Sequence, residues 1–208
     1  MGKNKDKQYD LVVIGAGASG MMAAITAARN GQKVCVIEKL DKVGKKLLAT
    51  GNGKCNFTNS VMHKACFHGD ESFIRFVLDQ FSVEDCLAFF HSIGIFPKNK
   101  NGYYYPNSEQ ASAVTNALLF EMERLDVKLS LETCVKDIVS NQGRVCVSTN
   151  KGDYIGKRLV IATGLLAAPK LGSDGSLFEI IKTMGHRFAP ILPALCGFYC
   201  KGINFKQI

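Results

Sequence analysis

The apolar positions along the chain change their spacing repeatedly, and each change marks a different kind of element. Leu11-Val12-Val13-Ile14 is an unbroken β-branched and aliphatic run, the form of a strand covered on both faces of a parallel sheet. A glycine-rich turn, Gly15-Ala16-Gly17-Ala18-Ser19-Gly20, separates it from residues 21–30. There Ala23, Ala24, Ala27 and Ala28 supply helix propensity and Gly31 supplies the stop, so the pattern predicts a helix. Residues 33–37, apolar from Val34 onward, predict the second strand.

Beyond Glu38 the spacing is lost. Residues 41–59 are polar and glycine-rich and predict a long loop, which usually carries function. Helical spacing returns over residues 72–81, through Phe73, Phe76, Val77 and Phe81, and over 83–92, through Val83, Leu87 and Phe90. Asn101-Gly102 among three tyrosines predicts a hairpin at 99–106, and 112–125 predicts an amphipathic helix. From Val127 the period becomes two, giving short strands at 128–131, 134–139, 144–148 and 153–155 joined by Asn-Gln-Gly and Asn-Lys-Gly turns. Leu159-Val160-Ile161-Ala162-Thr163-Gly164 is another buried strand ending at glycine, and 175–184 a further helix. The expected architecture is α/β, a Rossmann-like parallel sheet with a helical segment inserted at about 64–126 and a β-meander at about 127–157.

The first turn has the spacing that a dinucleotide requires. Gly15 permits the tight turn, Gly17 lets the backbone approach a pyrophosphate, and Gly20 lets the helix pack closely on the strand. The pyrophosphate then rests on unpaired N–H groups of the helix. Glycines also serve simply to reverse a chain, but strand, helix and the acid Glu38 all stand in register here. Glu38 can accept hydrogen bonds from ribose hydroxyls, and its charge disfavours a 2'-phosphate, so FAD or NAD is expected at this turn rather than NADP.

Composition adds limits. Hydrophobic residues make up 47% and charged residues 21% of 208, and no apolar run has the length of a bilayer span. Lys3, Lys5 and Lys7 lead into a strand without an intervening signal segment, so a cytoplasmic protein with reduced cysteines is expected. Cys196 and Cys200 lack a second ligand pair at zinc spacing, and no metal site is expected. The net charge of +8 raises a polyanionic partner. Much of that excess lies in the N-terminal tail and in Lys39, Lys42, Lys45 and Lys46, where cofactor phosphates would sit, and no RNA-binding module signature is present. The four histidines are scattered without a partner acid or nucleophile at recognisable spacing.

Gly44-Lys45-Lys46-Leu47-Leu48 followed by Thr50-Gly51-Asn52-Gly53-Lys54-Cys55-Asn56-Phe57-Thr58-Asn59 resembles the signature of the bacterial flavoproteins called aminoacetone-oxidase-like, of the two-dinucleotide-binding type. Tyr105-Pro106-Asn107-Ser108, Gly185-His186 and Pro193-Ala194-Leu195 are similar as well. The resemblance implies FAD as cofactor, held by Gly15, Ala16, Gly17, Ser19, Gly20, Glu38, Lys39, Lys45 and Lys46. To these it adds Gly51, Asn52, Gly53, Asn56, Val135, Ala162, Thr163 and Gly164. Lys54 would supply positive charge where reduced flavin carries its negative charge, and would lower the pKa of Cys55, a candidate general acid beside the ring. The family's segment after Ala-Thr-Gly is replaced here by Leu165-Leu166-Ala167-Ala168-Pro169.

Family members are about twice this length, so residues 1–190 are expected to form the FAD domain and 191–208 the start of a substrate domain. The resemblance implies an oxidoreductase that passes hydride between substrate and flavin. It oxidises a small amine or reduces a uridine of ribosomal RNA, and the alternative from another class is a non-catalytic dinucleotide-binding fragment. Exposed apolar surface on a chain of this extent points to self-association.

Overall fold

The computed structural model describes residues 8–193. Its main sheet has six strands in the order β6-β2-β1-β9-β8-β7. These are β1 (Gln8–Ile14), β2 (Val34–Ile37), β6 (Lys128–Ser130), β7 (Val135–Asn141), β8 (Arg144–Thr149) and β9 (Gly152–Ile161). The pairs β6/β2, β2/β1 and β1/β9 are parallel, with Val12 opposite Cys35 and Leu159, whereas β9/β8 and β8/β7 are antiparallel. Val12 and Val13 point to opposite faces and both are fully buried, which is why the central run is apolar without alternation.

One face is covered by α1 (Ala18–Arg29) and α5 (Ala111–Arg124). Met21, Ala24 and Ile25 meet Val114, Leu118 and Met122 there in the larger core. The other face is closed by a smaller core of Val12, Ile14, Ile37, Val147 and Leu177, with Ile180 and Ile181 of α6 (Phe178–Thr183) packed against it. A three-stranded sheet, β3-β5-β4, is built from β3 (Thr58–Asn59), β4 (Pro97–Lys100) and β5 (Tyr103–Pro106). The remaining helices are α2 (Lys45–Ala49), α3 (Glu71–Leu78) and α4 (Val83–Ser92).

The Rossmann-like architecture expected from the sequence is present, with three local corrections. The strands expected at 153–155 and 159–164 are one strand, β9. Gly156-Lys157-Arg158 interrupts the apolar pattern between them because its residues are small or charged, yet its backbone pairs with Tyr9 and Leu11. The strand expected at 128–131 lies outside the meander and adds in parallel to the far side of β2, a partner that alternation cannot specify. Residues 41–59, expected to be a loop, contain α2, a 3-10 turn at Thr50–Gly53 and β3.

Elsewhere the periodicity places elements closely. α4 has the expected bounds, with a Ser82–Asp85 capping box at its start. α3 ends at Leu78, short of the expected 81, and the stripe Phe73, Phe76 and Val77 is exposed. Among the described residues no helix is long and apolar enough to cross a membrane. The expected domain start at 191–208, with Cys196 and Cys200, lies outside the described residues except for 191–193, as do Lys3, Lys5 and Lys7.

Candidate functional site

The C-terminal ends of β1, β2 and β9 open onto a cavity of about 980 Å³, a volume suited to a large organic ligand. This is the edge of an open parallel sheet at which ligands bind as a rule. Its first wall is the Gly15–Ser19 turn and the start of α1. Gly15 has φ +100°, and a side chain there would press to 2.7 Å from the Ala162 carbonyl oxygen. A side chain on Gly20 would overlap the Gly15 carbonyl, so this glycine sets the approach of α1 to the turn. Gly17 differs from both. Its φ is an ordinary −77°, nothing lies within 4 Å of where its Cβ would be, and it caps α1 without a side-chain hydrogen bond. Space is thus left above the unpaired N–H groups of a twelve-residue helix that has no acid in its first turn.

Glu38 is buried at the end of β2 and holds the turn in place. Its Oε2 accepts the Ala16 N–H at 2.7 Å and its Oε1 the Leu40 N–H at 2.9 Å. Its backbone N–H donates to Ser130 and its carbonyl accepts from Thr133, which ties the turn to β6. A charge-assisted bond of this kind is roughly twice as strong as a neutral one. The cavity also receives Val135 at the start of β7, beside the exposed thiol of Cys134.

The opposite wall is the segment 171–178. Lys39 bridges to it, with its Nζ 2.7 Å from Asp174 Oδ2 and 3.3 Å from Ser176 Oγ. The hydrogen bond from Lys39 holds the Asp174 carboxyl down to about 2. Lys46 Nζ donates to the buried Ser173 hydroxyl at 3.1 Å and has no carboxylate partner among the described residues. Gly164, at φ +73°, lies beside that hydroxyl, and a side chain there would collide with it. Lys45 lines the cavity but is paired with Asp41 at 2.6 Å.

The structure therefore gathers most of the expected cofactor residues around one space: Gly15, Ala16, Gly17 and Ser19; Glu38 and Lys39; Lys45 and Lys46; and Val135 with Ala162, Thr163 and Gly164. Gly20 stands behind them in packing. Gly51, Asn52, Gly53 and Asn56 lie outside it. Their segment is held to β5, with the Asn56 amide donating to the Thr58 and Tyr104 carbonyls.

Lys54 and Cys55 differ from expectation in a related way. Lys54 turns to Glu109, 3.4 Å away, and Cys55 is fully buried in the larger core near Phe57 and Phe90. Burial pushes the Cys55 thiol up, with a Thr50 hydrogen bond acting weakly against it, so the lowering expected from Lys54 is reversed. Sequence reasoning missed the wall at Ser173, Asp174 and Ser176. The segment before the helix expected at 175–184 carries no local signal for this role, because its contact with Lys39 and Lys46 spans more than 120 residues of chain.

Residues 9–208 match the family model described as the HI0933-like protein Rossmann domain. The chain is 41% identical over 198 residues to the 3-dehydro-bile acid delta(4,6)-reductase of Clostridium scindens, covering 94% of this chain and 48% of that protein. It is 28% identical over 194 residues to the ribosomal RNA dihydrouridine synthase of Escherichia coli, covering 92% and 48%. The chain thus spans about half the length of these relatives. Among solved structures, the 3-ketosteroid-delta4-(5alpha)-dehydrogenase from Rhodococcus jostii aligns with a TM-score of 0.65 at 17% identity, covering 86% of this chain and 54% of that one. That likeness establishes the fold. The cofactor of the family is FAD, as the resemblance implied and as the glycine turn and Glu38, which suit FAD or NAD, allow.

Proposed function

The chain belongs to the HI0933-like Rossmann family of FAD-binding oxidoreductases, and from that premise we propose that the protein reduces a carbon–carbon double bond conjugated to a carbonyl in a small cyclic enone. One observation carries the reaction class. The relative that is 41% identical along nearly the whole chain is named a delta(4,6)-reductase. The relative named a dihydrouridine synthase belongs to the same class of chemistry but is less similar, at 28%, so a small molecule is favoured over RNA.

In this reading the N–H groups of Ala18 and Ser19 receive the FAD pyrophosphate, and the open space above Gly17 admits it. Glu38 keeps the turn in shape and has lone pairs left for ribose hydroxyls. Lys39 and Lys46 offset phosphate charge from the far side. Val135 and the backbone of Ala162, Thr163 and Gly164 line the route along the sheet edge. When bound, FAD supplies the two-electron exchange with substrate. The roles expected for Gly51, Asn52, Gly53, Lys54, Cys55 and Asn56 at a flavin ring are not carried into this reading, since they do not line the cavity.

The test is a single-turnover experiment on FAD-loaded protein, reduced without oxygen and mixed with a steroid-like enone, with a uridine-containing RNA fragment, or with buffer. Rapid return of the oxidised flavin band with the enone alone is expected. Reoxidation by the RNA alone would move the substrate to RNA, and reduction of the oxidised protein by a small amine, with peroxide formed in air, would replace the reading by an oxidase.

A further inference from the structure

Among the described residues outside the cavity, three lysines converge on one carboxylate where the β4–β5 hairpin meets the loop after the Thr50–Gly53 turn. Lys98 and Lys100, two residues apart on β4, fall on the same face of that strand. Both ammonium groups stand 2.7 Å from Glu109 Oε1, and Lys54 Nζ stands 3.4 Å from Oε2. Each of the three lysines is 42–46% exposed, and none has another carboxylate partner among the described residues. Three positive charges thus surround one negative charge, and two remain uncompensated. Glu109 reaches this position from a left-handed backbone conformation, φ +54°, that a non-glycine residue seldom adopts. Its hydrogen bonds to Lys100 and Lys98 hold the carboxyl down to about 2, so it is charged throughout the neutral range.

We propose that Lys54, Lys98 and Lys100 form a binding subsite for a phosphomonoester dianion, in which Glu109 is an internal stand-in for the ligand. A phosphomonoester offers two negative charges and three terminal oxygens, one for each ammonium, where the carboxylate offers one charge and two oxygens. The lysine ends of these pairs are well exposed, so each holds its partner weakly, and the incoming dianion displaces the Glu109 side chain, itself 24% exposed. Convergence of all three groups on a single point suits one doubly charged group. A chain of phosphodiesters, one charge each and spaced along a backbone, would call for lysines in a track. The subsite shares no residue with the lining of the FAD cavity and does not depend on the reaction proposed above.

Calorimetric titration of the FAD-loaded protein at low salt and pH 8 tests this with inorganic phosphate, with NADPH and NADH, which differ by one phosphomonoester, and with an RNA oligonucleotide lacking terminal phosphates. Inorganic phosphate is expected to bind, and NADPH to bind tenfold or more tightly than NADH. NADPH tighter than inorganic phosphate would assign the dianion to a nucleotide, and the reverse order to free phosphate; either upholds the subsite. Combined Lys98→Ala and Lys100→Ala should weaken phosphate and NADPH tenfold or more without changing FAD content, and Glu109→Gln should tighten both several-fold. Equal binding of NADPH and NADH with no phosphate signal would overturn the proposal, as would weaker phosphate binding by Glu109→Gln. Binding confined to RNA and abolished by the lysine pair would replace it with a nucleic-acid surface.

Discussion

The chain has two glycine-rich loops, 15–20 and 51–56, and the structure treats them oppositely. In the first, glycine removes side chains from a crowded place. Gly15 and Gly20 are hemmed in by the Ala162 and Gly15 carbonyls, while a buried carboxylate fastens the turn and leaves free space over Gly17. The second is a turn packed on β5, with Cys55 buried beneath it, in which non-glycine residues share the left-handed region with glycines: Asn52 at φ +55° and Cys55 at φ +57° beside Gly51, whose Cβ would press to 2.7 Å from the Asn56 nitrogen, and Gly53. Nothing lies within 4 Å of a Cβ built on Gly53. Glycine content alone did not separate a cradle from a turn. The surroundings do, because a cradle needs a fixed frame and a vacancy together.

The sharpest way to break the comparison is to add side chains at matched places. Gly20→Val should cost about 3 kcal/mol or more in urea unfolding, since its Cβ cannot coexist with the Gly15 carbonyl. Gly53→Ala, which meets only the strain of φ +79°, should cost about 1 kcal/mol. Equal costs would mean that Gly20 is no more confined than the open Gly53.

A pH series probes the frame behind the cradle. Glu121 of α5 joins that helix to α1 through Arg29 at 2.6 Å and pairs within α5 with Arg124 at 2.7 Å, and its carboxyl is held down to about 2, chiefly by the Arg124 hydrogen bond. A depressed carboxylate stabilises the fold above its unfolded pKa and ceases to do so as pH falls through the folded one. The Glu121 contribution to stability should therefore fall by about 2–3 kcal/mol between pH 4.5 and pH 2, and Glu121→Gln should make the loss of stability over that range smaller by this amount, leaving the part due to the other depressed carboxylates such as Asp174.

Glu38→Ala takes a charge-assisted bond from the Ala16 N–H, an interaction worth about 1.5–3 kcal/mol. FAD affinity measured by fluorescence quenching should fall about ten- to hundredfold. The smallest effect separates the thiols. Iodoacetamide at neutral pH should label Cys134, exposed at the cavity, and bound FAD should protect it, while Cys55 stays unlabelled because burial raises its pKa. Labelling of Cys55 at the rate of Cys134 would return it to the list of reactive groups.

Much of this was legible in the chain because it is local. The run Leu11 to Ile14, the Gly15-x-Gly17-x-x-Gly20 spacing and Glu38 at the end of the next strand are consequences of chain geometry over thirty residues. What was hidden depends on distant partners. Gly156-Lys157-Arg158 separates two strands in the sequence until β1 is laid beside it, and 128–130 looks like meander until β2 claims it. The Ser173–Asp174 wall acquires meaning only from Lys46 and Lys39. The wrong sign expected for the Cys55 thiol came from reading Lys54 as its partner in space, when burial sets the shift and Glu109, far along the chain from Lys54, draws that ammonium away.

The central claim is that the vacancy over Gly17 is where FAD lies, and Gly17→Val tests it most directly. Because nothing stands within 4 Å of the added Cβ and φ is −77°, the variant should fold with an unchanged circular dichroism spectrum and unfolding midpoint. The account predicts that this folded protein retains no flavin after gel filtration, measured by its visible absorbance. Flavin content equal to wild type in the folded variant would contradict it.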